Sequence, residues 1–141
     1  VGGPLNEADQ KILWAVAMFH ELGRVGNSEE NTDARHVGAI SARIADTILR
    51  DGSAQGTIWE KSEVRDEVCR LVYRHADVNE AREDKRLQVF QDAERLEGVR
   101  FGVKTAMGLT YIKEQCKPDL FFTGFGKEIT NLRKYMKFKG W

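Results

Sequence analysis

His20-Glu21, His36, Arg74-His75 and Asp92-Ala93-Glu94-Arg95-Leu96 are the pieces of this 141-residue chain whose residue types and order suit chemistry. They contain all three of its histidines. Each piece falls on a stretch that reads as helix. Imidazoles and carboxylates spread over several helices are how an all-α protein builds a metal site. His20 and Glu21 sit at the end of a first helix, about 100° apart on its wheel, so both reach one cavity only at a rim or a frayed end. His36 lies in the first turn of a second helix, where the dipole favours the neutral, ligating imidazole. His75 ends a third helix, where a cation is favoured, so ligation there requires the neutral form. Asp92 and Glu94 lie about 200° apart on a fourth helix and cannot both face one site. They flank its apolar face from opposite sides, and geometry alone leaves the choice open. Arg95 between them suits a phosphate. Singly, each piece also has a bland reading as a surface His-Glu pair, a helix cap or a charged helix flank.

The elements that must carry these residues are helical almost throughout. Ile12, Leu13, Ala15, Val16, Phe19 and Leu22 recur at intervals of three and four, which predicts a helix over 6–22 with Asn6 as N-cap and Gly23 as stop. The polar stretch 26–33 reads as a loop. A second helix is expected over 34–50, with Val37, Ile40, Ile44, Ile48 and Leu49 inward. The glycine-bearing stretch 51–56 ends it. A third is expected over 61–75, with Val64, Val68, Leu71 and Val72 inward and Ser62 helping to cap its start. Residues 76–84 read as loop. A fourth helix is expected over 85–97, with Leu87, Phe90, Ala93 and Leu96 inward, then a break at Gly98 and Gly102. Further helices are expected over 103–115, stopped by Pro118, and over 127–137. Between them Phe121 to Gly126 reads as an apolar turn. No alternation of period two is long enough for a strand. The expectation is an all-α, single-domain bundle of about six helices.

Composition fits an ordinary globular chain, with 41% hydrophobic and 31% charged residues. At this length roughly two thirds of the unfolded surface can be buried without a disulfide or metal. The net charge of zero argues against a generic nucleic-acid binder. Residues 101–141 nevertheless carry 8 basic and 3 acidic side chains, against 14 and 19 in the rest. The basic end Arg133–Trp141 suits phosphates, an acidic partner, RNA or a solvated helix end. Cys69 and Cys116 form no CxxC pair, and free thiols fit a reducing, cytoplasmic setting. No apolar run approaches the roughly 18 residues of a membrane span, and no secretory leader is read at the start.

Taken in order, the pieces resemble the HD domain, a helical family of metal-dependent phosphohydrolases. Ala15-Val16-Ala17-Met18-Phe19-His20-Glu21-Leu22-Gly23-Arg24 is similar to that family's apolar run followed by His-Asp-Ile-Gly-Lys. His36-Val37-Gly38-Ala39-Ile40-Ser41-Ala42 resembles its His-x-x-x-Gly-Ala-x-x-Ala helix. Val68 to His75 resembles its apolar helix ending in histidine, and Asp92-Ala93-Glu94-Arg95-Leu96 its Asp-Ala-Asp-Arg-Leu segment. The likeness covers about residues 9–100, leaving 101–141 as a helical extension. It implies a helical bundle around a divalent or dinuclear centre, with His20, Glu21, His36, His75 and either Glu94 or Asp92 as metal ligands. It implies Glu21, Arg24 and Arg95 in catalysis, and Arg24, Arg74 and Arg95 on the phosphate of a nucleotide or other phosphoester. The mixed imidazole and carboxylate set suits manganese, iron, nickel, cobalt or zinc. The chain departs from the pattern at three places. The doublet is His-Glu, the later aspartate aligns best with Glu94, and no histidine precedes His20. The family's first metal histidine is therefore expected upstream of Val1 or is missing.

Three functions follow as expectations. The first is a divergent HD-type phosphohydrolase. The second is a fold of this type that has lost its metal and binds a nucleotide or protein. The third is a helical interaction protein, homo-oligomeric or with another partner, using Phe121, Phe122, Phe125, Tyr135, Phe138 and Trp141.

Overall fold

The structure is a computed structural model that describes residues 4–24, 34–51, 56–102 and 121–123. The described residues are all-α, with five α-helices and no strand among them. The helices expected over 103–115 and 127–137, Cys116 and the basic end lie outside the described residues. The chain divides into two compact units, Val1–Leu87 and Gln88–Trp141.

In the first unit, α1 spans Glu7–Phe19. Asn6 starts it as expected, its side chain accepting from the Asp9 amide at 2.8 Å, and Glu7 and Asp9 place negative charge at the positive end of the dipole. Ile12, Ala15 and Val16 are buried. The helix stops three residues before the expected end, because residues 20–23 tighten into a turn in which the Leu22 amide bonds the Phe19 carbonyl. Leu22 is thereby turned outward, 45% exposed rather than inward.

Helix α2 covers Ala34–Asp51 and buries Val37, Ser41, Ala45 and Leu49, a stripe repeating every four residues. Ile48, expected inward, lies off that stripe and is 47% exposed. Helix α3 covers Ser62–Arg74 with Val68, Leu71 and Val72 fully buried. Burying a side chain of this size stabilises by about 1.5–3 kcal/mol. Helix α2 packs most extensively on α3, and α1 packs on α3 next. Gly38 permits the α2–α3 approach: a Cβ there would lie 2.8 Å from the Tyr73 carbonyl oxygen. Ser62 does not cap α3; it is already helical, and Lys61 stands at the N-cap without a side-chain bond. A short 3-10 turn, Ile58–Glu60, precedes it. Arg65 closes that turn by donating to the Trp59 and Glu60 carbonyls at 2.8 Å each.

The stretch 76–84 is not all loop. Asp77 accepts from the Asn79 and Glu80 amides, at 3.0 and 3.2 Å, and starts a six-residue helix, α4, Val78–Glu83. Helix α5 then runs over Lys85–Gly102, with no break at Gly98. Gly98 costs a helix interior only about 1 kcal/mol. Around this corner an ion-pair cluster forms. Arg70 donates to Glu67 at 2.9 and 3.0 Å, to Asp84 at 2.7 Å and to Glu80. Arg86 donates to Asp84 at 3.0 and 3.1 Å and to Glu67, and pairs with Asp9 of α1 at 3.6 Å. Burial acts to raise the Asp84 carboxyl, but the bonds from Arg86 and Arg70 outweigh it and bring it down to about 2. The bond from Arg70 likewise holds Glu67 below its ordinary value.

In the second unit, α5 buries Phe90, Gln91 and Asp92. Ala93, expected inward, is exposed. Of the apolar turn expected over 121–126, Phe121–Thr123 is described, and Phe121 is 3% exposed.

Candidate functional site

The turn that follows α1 carries the first candidate pair. His20 is the C-cap of α1. Its Nδ1 lies 2.8 Å from the Ala17 carbonyl oxygen. A carbonyl can only accept, so Nδ1 carries a proton and donates to it. His75 repeats the arrangement as the C-cap of α3, with Nδ1 2.7 Å from the Val72 carbonyl oxygen. The two rings meet edge to face, centroids 5.3 Å apart at 67°. His20 is half-buried and His75 is buried. Helices α1 and α3 thus end at one place, each presenting an imidazole held in the same way. A backbone carbonyl on the second ring nitrogen is the usual device that orients a metal-binding histidine.

The His20–Glu21 turn is gripped by α2. The buried Ser41 hydroxyl donates to the His20 carbonyl at 2.9 Å and accepts from the Gly23 amide at 2.8 Å. A Cβ on Gly23 would come 2.6 Å from the Val37 carbonyl oxygen, so only glycine lets the turn lie this close. Sequence reasoning passed over Ser41. Its signal was a small hydroxyl four residues after Val37 on the inward stripe.

The other expected residues divide. Glu21 is exposed and pairs with Arg24 at 2.9 Å. This brings the expected carboxylate and the expected phosphate-binding arginine together beside His20. Arg74 is exposed, donates to Asp77 at 3.3 Å, and lies over its neighbour Tyr73, 5.0 Å from the ring centroid. His36 is exposed on the first turn of α2. In the second unit Asp92 and Glu94 separate, as their wheel angle requires. Asp92 is 4% exposed, and its carboxylate accepts the Phe122 and Thr123 amides at 2.9 and 2.8 Å. Glu94 is half-buried on α5, seven residues after Leu87. Arg95 holds its guanidinium carbon 5.9 Å from the centre of the Phe121 ring.

A groove of about 270 Å³ elsewhere in the first unit is lined by Trp14, Met18, Phe19, Leu49 and Trp59. Its only titratable side chain is Lys11, which is paired with Glu7 at 2.6 Å. That lining offers apolar contact and no catalytic group. Cys69 is half-buried, and burial pushes its thiol up, which makes it a poor nucleophile. No helix among the described residues is long and apolar enough to cross a membrane.

Comparison of the chain with protein families, with curated proteins and with solved structures finds no match.

Proposed function

We propose that the chain is a divergent HD-type, metal-dependent phosphohydrolase acting on a nucleotide or another phosphoester. The observation that carries this reading is the matched histidine pair, His20 and His75, each with Nδ1 set against its own helix carbonyl. The donor set fits a borderline divalent ion: neutral imidazole with carboxylate suits manganese, iron, nickel, cobalt or zinc. His20, Glu21 and His75 are the proposed ligands, all in the first unit. Asp92 and His36 are left out, the first because its carboxylate is taken up by backbone amides and the second because it is not one of the two facing rings at the ends of α1 and α3. When bound, such an ion polarises a phosphoryl oxygen and lowers the pKa of water to supply the nucleophile.

The chain's own groups then have distinct tasks. Ser41 fixes the turn, so that His20 and Glu21 keep one geometry. Arg24, within reach of Glu21, offers a planar donor fork for phosphate oxygens. Each glutamate in place of aspartate carries its carboxylate one methylene further. The test is elemental analysis of protein purified without chelator, followed by phosphate release from a nucleotide panel with manganese or nickel. Bound transition metal and metal-stimulated release are expected. Metal-free protein that stays inert after metal addition would sink the reading.

A second reading is favoured by the ion pair between Glu21 and Arg24, which gives that carboxylate a partner already. In it the fold has lost the metal and binds a nucleotide through its arginines. Calorimetry separates the two: nucleotide binding in EDTA that is unchanged by His20→Ala supports this second reading over the first.

A further inference from the structure

Asp92 stood as one of two carboxylates for the metal, and its surroundings give it another task. One carboxylate oxygen accepts the Phe122 amide at 2.9 Å. The other accepts both the Thr123 amide at 2.8 Å and the Thr123 hydroxyl at 2.6 Å. Both oxygens of a nearly inaccessible group are thus spent on one three-residue turn, some thirty positions away in sequence. Bonds to an ionised acceptor are among the stronger hydrogen bonds. The residue just before those amides is Phe121, itself buried, and its ring faces the guanidinium of Arg95. Asp92 and Arg95 are three residues apart on α5 and so share a side of it. A guanidinium laid over an aromatic face keeps its in-plane N–H donors directed outward from the ring edge.

We infer that Asp92 is a positioning residue and not a ligand: it pins the Phe121–Thr123 turn so that Phe121 holds Arg95 in the orientation that receives a phosphate group. The inference rests on the reading of Arg95 as a phosphate-orienting arginine, and it assigns to Phe121 and Thr123 a part that sequence alone did not suggest. Asparagine at position 92 would keep one acceptor but turn an NH2 group toward donors, which breaks one side of the pin.

The experiment uses the full chain with two probes, manganese and inorganic phosphate, each titrated calorimetrically. Hydrogen exchange at the amides of residues 122 and 123 is followed alongside. Asp92→Asn is expected to leave manganese affinity within about twofold while weakening phosphate about tenfold, the loss of one charge-assisted bond. Its two amides exchange faster. Phe121→Leu is expected to weaken phosphate similarly while leaving manganese unchanged. Thr123→Val, which removes one of the three bonds, keeps the question answerable if Asp92→Asn does not fold. Loss of manganese in Asp92→Asn with both amides still protected would make Asp92 a ligand and overturn the inference. Unchanged phosphate affinity in both Asp92→Asn and Phe121→Leu would overturn it as well, as would wild-type protein that binds no phosphate. If the wild type binds no manganese, the phosphohydrolase reading fails, yet phosphate titrations of the same variants in EDTA still decide the positioning claim.

Discussion

Helix α3 carries two polar clusters built on opposite principles. In its middle, Glu67 and Arg70 join Glu80, Asp84 and Arg86 in a cluster where every charge meets an opposite one at short range. At its end, His75 meets His20 edge to face, with each Nδ1 proton fixed by its own helix carbonyl. The first cluster has used its bonding capacity on itself. The second orients two imidazoles with backbone carbonyls, the arrangement a metal-binding histidine needs. The difference teaches where to look for function: an ion-pair network holds helices, while an oriented imidazole pair suits a ligand.

That contrast makes ordered predictions. Arg86→Met should have the largest effect on stability, about 2 kcal/mol, because it strips a partner from Asp84 and Glu67, both largely shielded. Urea unfolding measures it, with manganese affinity unchanged. A loss below about 0.5 kcal/mol would mean that Arg70 alone holds the corner. Acid should act on the same cluster. Asp84 lies at about 2 when folded against an ordinary 3.8, so its contribution is complete above the ordinary value and is lost as pH falls toward 2. That contribution is of order 2 kcal/mol. Stability measured between pH 6 and pH 3 should fall less steeply in Asp84→Asn than in wild type. His20→Gln reverses the pattern: about 1 kcal/mol of stability for one hydrogen bond, but manganese affinity down by tenfold or more. Equal manganese affinity in this variant would erase the distinction between the clusters. Smallest of all is His36→Ala, within about 0.5 kcal/mol and without effect on manganese, because the side chain is exposed.

What was legible in the sequence follows from range of interaction. Asn6 as a cap and the inward positions Val37, Val68, Leu71, Val72 and Leu87 are set by neighbours within one or two turns, and the structure has them. Helix α4 was not legible, since six polar-rich residues carry no period and the signal is one capping aspartate, Asp77. The ion-pair corner was equally hidden: Arg70 finds Asp84 fourteen residues away and Arg86 finds Glu67 across nineteen. Among the candidate ligands, sequence named His20 and His75 but not their facing rings. It left Asp92 and Glu94 open because the amides that occupy Asp92 come from a turn thirty residues on. The long-range partner, not the local residue type, decided each of these.

The Ser41 bridge has a consequence for anyone who would transplant this turn. The six residues from Phe19 to Arg24 look like a portable cassette, short enough to splice onto the end of any amphipathic helix. They are not self-sufficient. The carbonyl of His20 and the amide of Gly23 are tied to one hydroxyl on another helix, and Gly23 is pressed against that helix's backbone. A graft that omits a serine-bearing helix at this spacing would carry the letters and lose the shape. The smallest transferable unit is the turn together with Val37–Ser41.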